Sequence, residues 1–115
     1  MTAVRRLLPL LAGLLLPLVL LVASCSSDGP AMPTDPMLAA GQTVYKDNCA
    51  SCHGQSGGGG IGSALAGEVE EKYPNVADHT AIVVNGVKNK NMPAFGERLT
   101  AEEIDAVVRY EREGL

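Results

Sequence analysis

The sequence is 115 residues long, enough for one domain. It carries 9 basic and 13 acidic residues, with one Phe, three Tyr and no Trp. An acidic chain without clustered Lys and Arg excludes nucleic acid as a partner, and so few large apolar side chains imply a thin core that needs a staple or a cofactor.

The first element is a targeting segment. Arg5 and Arg6 precede an apolar run from Leu7 to Ala23, broken by Pro9 and Pro17. A basic stretch followed by an apolar stretch is the pattern of an export signal. An uncleaved helical anchor is the alternative, but the run is short for a membrane span. It ends in Val22-Ala23-Ser24-Cys25, which resembles the lipobox of bacterial lipoproteins. That resemblance implies cleavage after residue 24, acylation of Cys25 and a lipid tie to a membrane. The mature chain would keep 91 residues, lose Arg5 and Arg6, and carry 7 basic and 13 acidic residues, a net charge of −6. Ser26 to Thr34 is rich in Ser, Pro and Gly and reads as a flexible linker. The expected organisation is a signal peptide over 1–24, a linker over 25–34 bearing lipidated Cys25, and a folded domain over 35–115. The linker from Cys25 to Asp35 reaches roughly 30–35 Å when extended.

The first helix of the domain should begin at Pro36, with Asp35 as its N-cap. Met37, Ala40, Gly41, Val44 and Tyr45 then form an apolar stripe at helical spacing. Gly41 within that stripe costs about 1 kcal/mol relative to Ala, which close approach of another backbone would offset. Gly67 to Tyr73 can form a short helical piece that Pro74 ends. Asp78 can cap a short helix from His79 to Val84, with Gly86 as its stop. Thr100 and Glu103 form a capping box for the last helix, with Leu99 and Ile104 placed as a hydrophobic staple. Ile104, Val107, Val108 and Tyr110 supply its buried side, and its acidic residues should face water. No stretch reads as a strand, so the expected class is all-α, with three to four short helices.

Cys49-Ala50-Ser51-Cys52-His53 is C-x-x-C-H, the signature of covalent haem c attachment. The thiols must reach two vinyl groups on one porphyrin edge, and the next residue must bring an imidazole to the iron. Two intervening residues and an adjacent His meet both demands. A disulfide between these cysteines would close a very small loop and stabilise little. A thioredoxin-like pair needs a preceding strand, whereas this pair follows a helical pattern. A zinc site needs two further ligands, and only His79 and Cys25 are available.

The order of motifs resembles the small class I cytochromes c. Gly41-x-x-x-Tyr45 precedes the haem signature, and a glycine-rich loop and Asn85-Gly86 follow it. Asn91-Met92-Pro93-Ala94-Phe95 then looks like that family's distal-methionine segment, and Leu99-Thr100-x-x-Glu103-Ile104 leads to Tyr110. The resemblance covers Pro36 to Glu113. It implies a cytochrome c fold wrapped around one covalent haem, with the first and last helices crossing at Gly41 and Tyr110. It implies His53 as proximal and Met92 as distal ligand of the haem iron. Many relatives have a proline after the glycine loop, where this chain has Gly62-Ser63-Ala64-Leu65, so the carbonyl that accepts from His53 could be any from Gly62 to Ala64. His79, expected to be exposed, is the rival distal ligand; Met37 reads as core and Met32 as linker.

A Met/His haem suits one-electron transfer and raises the potential. The expectation is therefore an exported, lipid-anchored electron carrier on the outer face of a bacterial membrane or in the periplasm. It would serve redox protein partners of a respiratory or photosynthetic chain and act on no small-molecule substrate. A haem enzyme or gas sensor is the alternative if Met92 leaves the iron open. Lys46, Lys88 and Lys90 flank the haem-binding segments and read as solvated side chains.

Overall fold

The computed structural model describes residues 29–115. The expected signal peptide and Cys25 lie outside the described residues. Five α-helices follow in order: α1 Pro36–Asn48, α2 Ala50–His53, α3 Val69–Lys72, α4 Val76–Asn85 and α5 Ala101–Glu113. A single 3-10 turn, Lys88–Lys90, separates the last two. Among the described residues the only β pairing is an isolated bridge between Val87 and Met92.

Helix α1 starts where its cap dictates. The Asp35 Oδ1 accepts hydrogen bonds from the backbone N–H of Met37 (2.8 Å) and Leu38 (3.1 Å), two donors that the first helical turn leaves without partners. The buried face is Gly41, Gln42, Val44 and Tyr45. Met37, expected in the core, is exposed, because the turn that holds it precedes the crossing at Gly41.

Helix α4 begins earlier than the sequence suggests. Its cap is Asn75, whose Oδ1 accepts from Ala77 N at 2.9 Å. Asp78 instead sits in the first turn, where a negative charge complements the helix dipole. Helix α5 carries the expected capping box: Glu103 N donates to Thr100 Oγ1 (3.2 Å) and Thr100 N donates to Glu103 Oε2 (2.8 Å). Its buried side holds Ile104, Ala106, Val107, Val108 and Tyr110, and also Glu111. Glu111 thus departs from the outward-facing pattern of the other acidic residues on this helix.

The frame is the packing of α1 against α5, with α4 laid on α5 beside it. At the crossing a Cβ on Gly41 would overlap the carbonyl oxygen of Ala106 and come within 2.7 Å of Tyr110 Cβ. Two fully buried rings, Tyr45 and Tyr110, pack with centroids 5.6 Å apart. Gln42, also fully buried, donates from Nε2 to the carbonyls of Pro30 and Ala31, both at 3.1 Å, and lies 3.3 Å from Tyr110 Oη. Two residues of the stretch read as linker are therefore tied to the helix crossing.

Candidate haem site

The C-x-x-C-H segment forms its own helical turn at the end of α1. Cys49 N donates to Tyr45 O (2.8 Å), and His53 N donates to Cys49 O (2.9 Å), so α2 continues directly from the C-terminus of α1. The turn divides the two thiols: Cys49 is buried and Cys52 exposed. Burial, followed by the negative charge of Glu111, pushes the Cys49 thiol up to about 12.

The glycine-rich loop folds back over this turn and satisfies its free carbonyls. Gly59 N donates to His53 O (2.8 Å), and Gly62 N donates to Cys52 O (2.8 Å). Tyr45 Oη, reaching across from α1, donates to Gly54 O at 2.8 Å. The same fold brings Ser63 O to 2.7 Å from His53 Nδ1. The acceptor that the sequence left open between Gly62 and Ala64 is thus Ser63. A Cβ on Gly62 would lie 2.8 Å from His53 Cε1, so only a residue without a side chain lets the loop cover the ring so closely. With Nδ1 engaged by a carbonyl, the imidazole is fixed in the tautomer that leaves the Nε2 lone pair for a metal.

Met92 lies in the segment that follows α4. Val87 N donates to Met92 O (2.9 Å) and Met92 N donates to Val87 O (3.3 Å), closing the turn that carries Lys88 and Lys90. Phe95 N and Gly96 N then donate to Val83 O and Val84 O, both at 3.1 Å. These bonds lay the Met-Pro-Ala-Phe segment along the end of α4. Met92 is half-buried and packs against the apolar cluster that includes Cys49, Val83 and Phe95. Met32 is exposed, as are Lys46, Lys88 and Lys90.

His79 is not the exposed residue expected. It is 3% exposed, its Nε2 lies 2.8 Å from Glu111 Oε2, and its ring stacks on Tyr73 at 5.8 Å. That pairing also removes it from a zinc site, and among the described residues no three His, Cys, Asp or Glu side chains cluster to hold a metal ion. Sequence reasoning missed this pair. Its one signal was a His and a Glu on the faces by which α4 and α5 meet. The donor set suits haem c: two thiols one turn apart, an imidazole with its outer nitrogen occupied, and a thioether packed against the apolar cluster that includes Cys49.

The chain is similar to known proteins. The family profile described as "Cytochrome C oxidase, cbb3-type, subunit III" matches residues 36–110. A cytochrome c6 of Synechococcus sp. strain PCC 6312 is 40% identical over 105 residues, covering 88% of each chain. The chain belongs to the class I c-type cytochrome family. The crystal structure of cytochrome c6C from Synechococcus sp. PCC 7002 superposes with a TM-score of 0.51 and 31% identity, covering 63% of this cytochrome and 89% of that chain. The FixP subunit of a cbb3-type cytochrome c oxidase from Sinorhizobium medicae is 32% identical over 82 residues, and the match spans only 28% of its length. The cofactor of this cytochrome is covalent haem c, and its activity is electron transfer rather than conversion of a substrate.

Proposed function

We propose that Cys49 and Cys52 hold haem c through two thioethers and that His53 Nε2 and Met92 Sδ ligate its iron. Haem c supplies a one-electron couple, and a Met/His ligand pair raises its potential. The chain's own part is to bury the cofactor, fix its ligands and exclude small molecules from the iron. The observation that carries this reading is the 2.7 Å contact between His53 Nδ1 and Ser63 O, which presents Nε2 as the free donor next to two thiols on one turn.

The cytochrome then shuttles single electrons between membrane-associated redox complexes of a respiratory or photosynthetic chain. Residues 1–24 direct export, and lipid on Cys25 holds the domain 35–115 at the outer face of the membrane. The basic start, the apolar run and Val22-Ala23-Ser24-Cys25 support this placement.

Haem staining of denaturing gels tests the attachment. Cys49→Ser combined with Cys52→Ser abolishes the stain in exported protein. An unchanged stain would refute the assignment of the thiols.

A further inference from the structure

Residues 29–34 fold back along the first helix instead of leading away from it. Gln42, two turns beyond the cap Asp35, donates from Nε2 to the carbonyls of Pro30 and Ala31, both at 3.1 Å. One turn further, on the same face of α1, a Cβ on Gly29 would lie 4.0 Å from Lys46 Cε. The segment therefore runs antiparallel to α1, from Asp35 back toward Lys46. The lengths agree: six residues of extended chain reach about 20 Å, and α1 rises about 17 Å from residue 35 to residue 46. Gln42 is 0% exposed, so the clasp is removed from water, where losing a partner leaves a costly unsatisfied donor.

This reversal brings the incoming chain to the end of α1 that carries the haem-attachment turn. Lys46 stands three residues before Cys49, and Cys49 N donates to Tyr45 O at 2.8 Å. Gly29 is four residues after Cys25, a reach of at most about 14 Å. A linker free up to Asp35 would instead allow roughly 30–35 Å and any orientation of the domain. Met32 on the docked segment is 58% exposed, which adds apolar surface to the same side. Charge does not set the orientation. The mature chain would carry 7 basic and 13 acidic residues, and exposed Asp47 adjoins exposed Lys46.

We propose that the docked segment 29–34 turns one surface of the tethered cytochrome toward the phospholipid bilayer, the surface formed by that segment and by Lys46 at the haem end of α1. The proposal rests on the reading that Cys25 carries lipid. Acyl chains hold Cys25 at the headgroups, and the short stretch that follows keeps Gly29 near them. The Gln42 clasp then passes that placement on to α1. The haem-attachment turn, about one helical turn beyond Lys46, is thereby kept close to the bilayer. Such confinement raises its effective concentration toward anything held in the same membrane.

Amine labelling of the lipidated holoprotein on phosphatidylcholine vesicles, read at Lys46 by peptide mass spectrometry, tests this. Each rate is taken relative to the same chain with Cys25→Ser in solution, which cancels any change in the reactivity of the domain itself. Two variants carry an identical flexible Gly-Ser insertion of about ten residues, one between Ser27 and Asp28, the other between Pro33 and Thr34. The first lengthens the free tether, and its Lys46 should react several-fold faster than that of wild type. The second only loops out between the clasp and α1, and its Lys46 should react at the wild-type rate. Equal Lys46 rates in wild type and the first variant overturn the proposal. A rate raised equally by both insertions also overturns it, since the tether would then begin at Asp35. The intact mass of the starting protein checks the anchor separately. A chain without acyl groups on Cys25 would overturn both the anchor reading and this proposal; the labelling failures leave the anchor reading standing.

Discussion

Gly41 and Ala106 meet backbone to backbone: a methyl group on Gly41 would occupy the space of the Ala106 carbonyl oxygen. The contact sets how closely α1 and α5 cross, and the rings of Tyr45 and Tyr110 pack beside it. Gly41→Ala should therefore separate the helices, although alanine is the better helix former. The gain of about 1 kcal/mol in helix propensity is set against overpacking that costs roughly 1–3 kcal/mol or more against rigid backbone. Thermal unfolding of the holoprotein should show a lower midpoint. An unchanged or raised midpoint would mean that the crossing yields easily.

Asp35 makes acid sensitivity a local property of the start of α1. The N–H of Leu38, then that of Met37 and the nearby Arg109, hold its carboxyl below the ordinary value of 3.8. A lowered folded value gives stability that is present above the unfolded value and is lost as pH falls through the folded one. In Asp35→Asn the side chain can still cap, but the titrating group is gone. The variant should lose less stability than wild type as pH drops below about 4, the unperturbed carboxyl range. Parallel denaturation curves at each pH would contradict this.

Met92→Ala should open the distal side while His53 stays bound. The potential should drop, and added imidazole should bind at once and restore a low-spin spectrum. Wild-type spectrum and potential in this variant would remove Met92 as the ligand. His79 is a poor substitute, since its Nε2 is already committed to Glu111.

Cys25→Ser should abolish lipidation and release the cytochrome from the membrane fraction, as read by fractionation and mass spectrometry. Two acyl chains make a stable anchor where one binds only marginally. Gln42 sharpens the expectation for the anchored form. Its bonds to Pro30 and Ala31 leave only the stretch between Cys25 and Pro30 as tether, at most about 17 Å when extended. Gln42→Ala should lengthen that tether and raise protease cleavage around Ala31 to Thr34. A membrane-bound, unlipidated chain that still begins at Met1 would mean that residues 7–23 are themselves the anchor.

What the sequence determined by itself is the haem-attachment signature and the starts of α1 and α5. C-x-x-C-H carries its meaning in five consecutive positions, because the spacing of two vinyl groups and one iron is matched within a single turn. Asp35-Pro36 and Thr100-x-x-Glu103 are equally local, since a cap is satisfied by residues two or three positions away. Tertiary structure decided everything that depends on a distant partner. The choice of Ser63 over its neighbours as acceptor for His53 follows from how the glycine loop closes. The burial of His79 and Glu111 follows from α4 lying on α5, which brings together residues 32 positions apart. Gln42 looks like a surface residue in sequence and is wholly buried because three acceptors converge on it. Each residue's type was plain, but a polar side chain enters a core only where partners from elsewhere in the chain meet its hydrogen bonds, and helical periodicity does not record them.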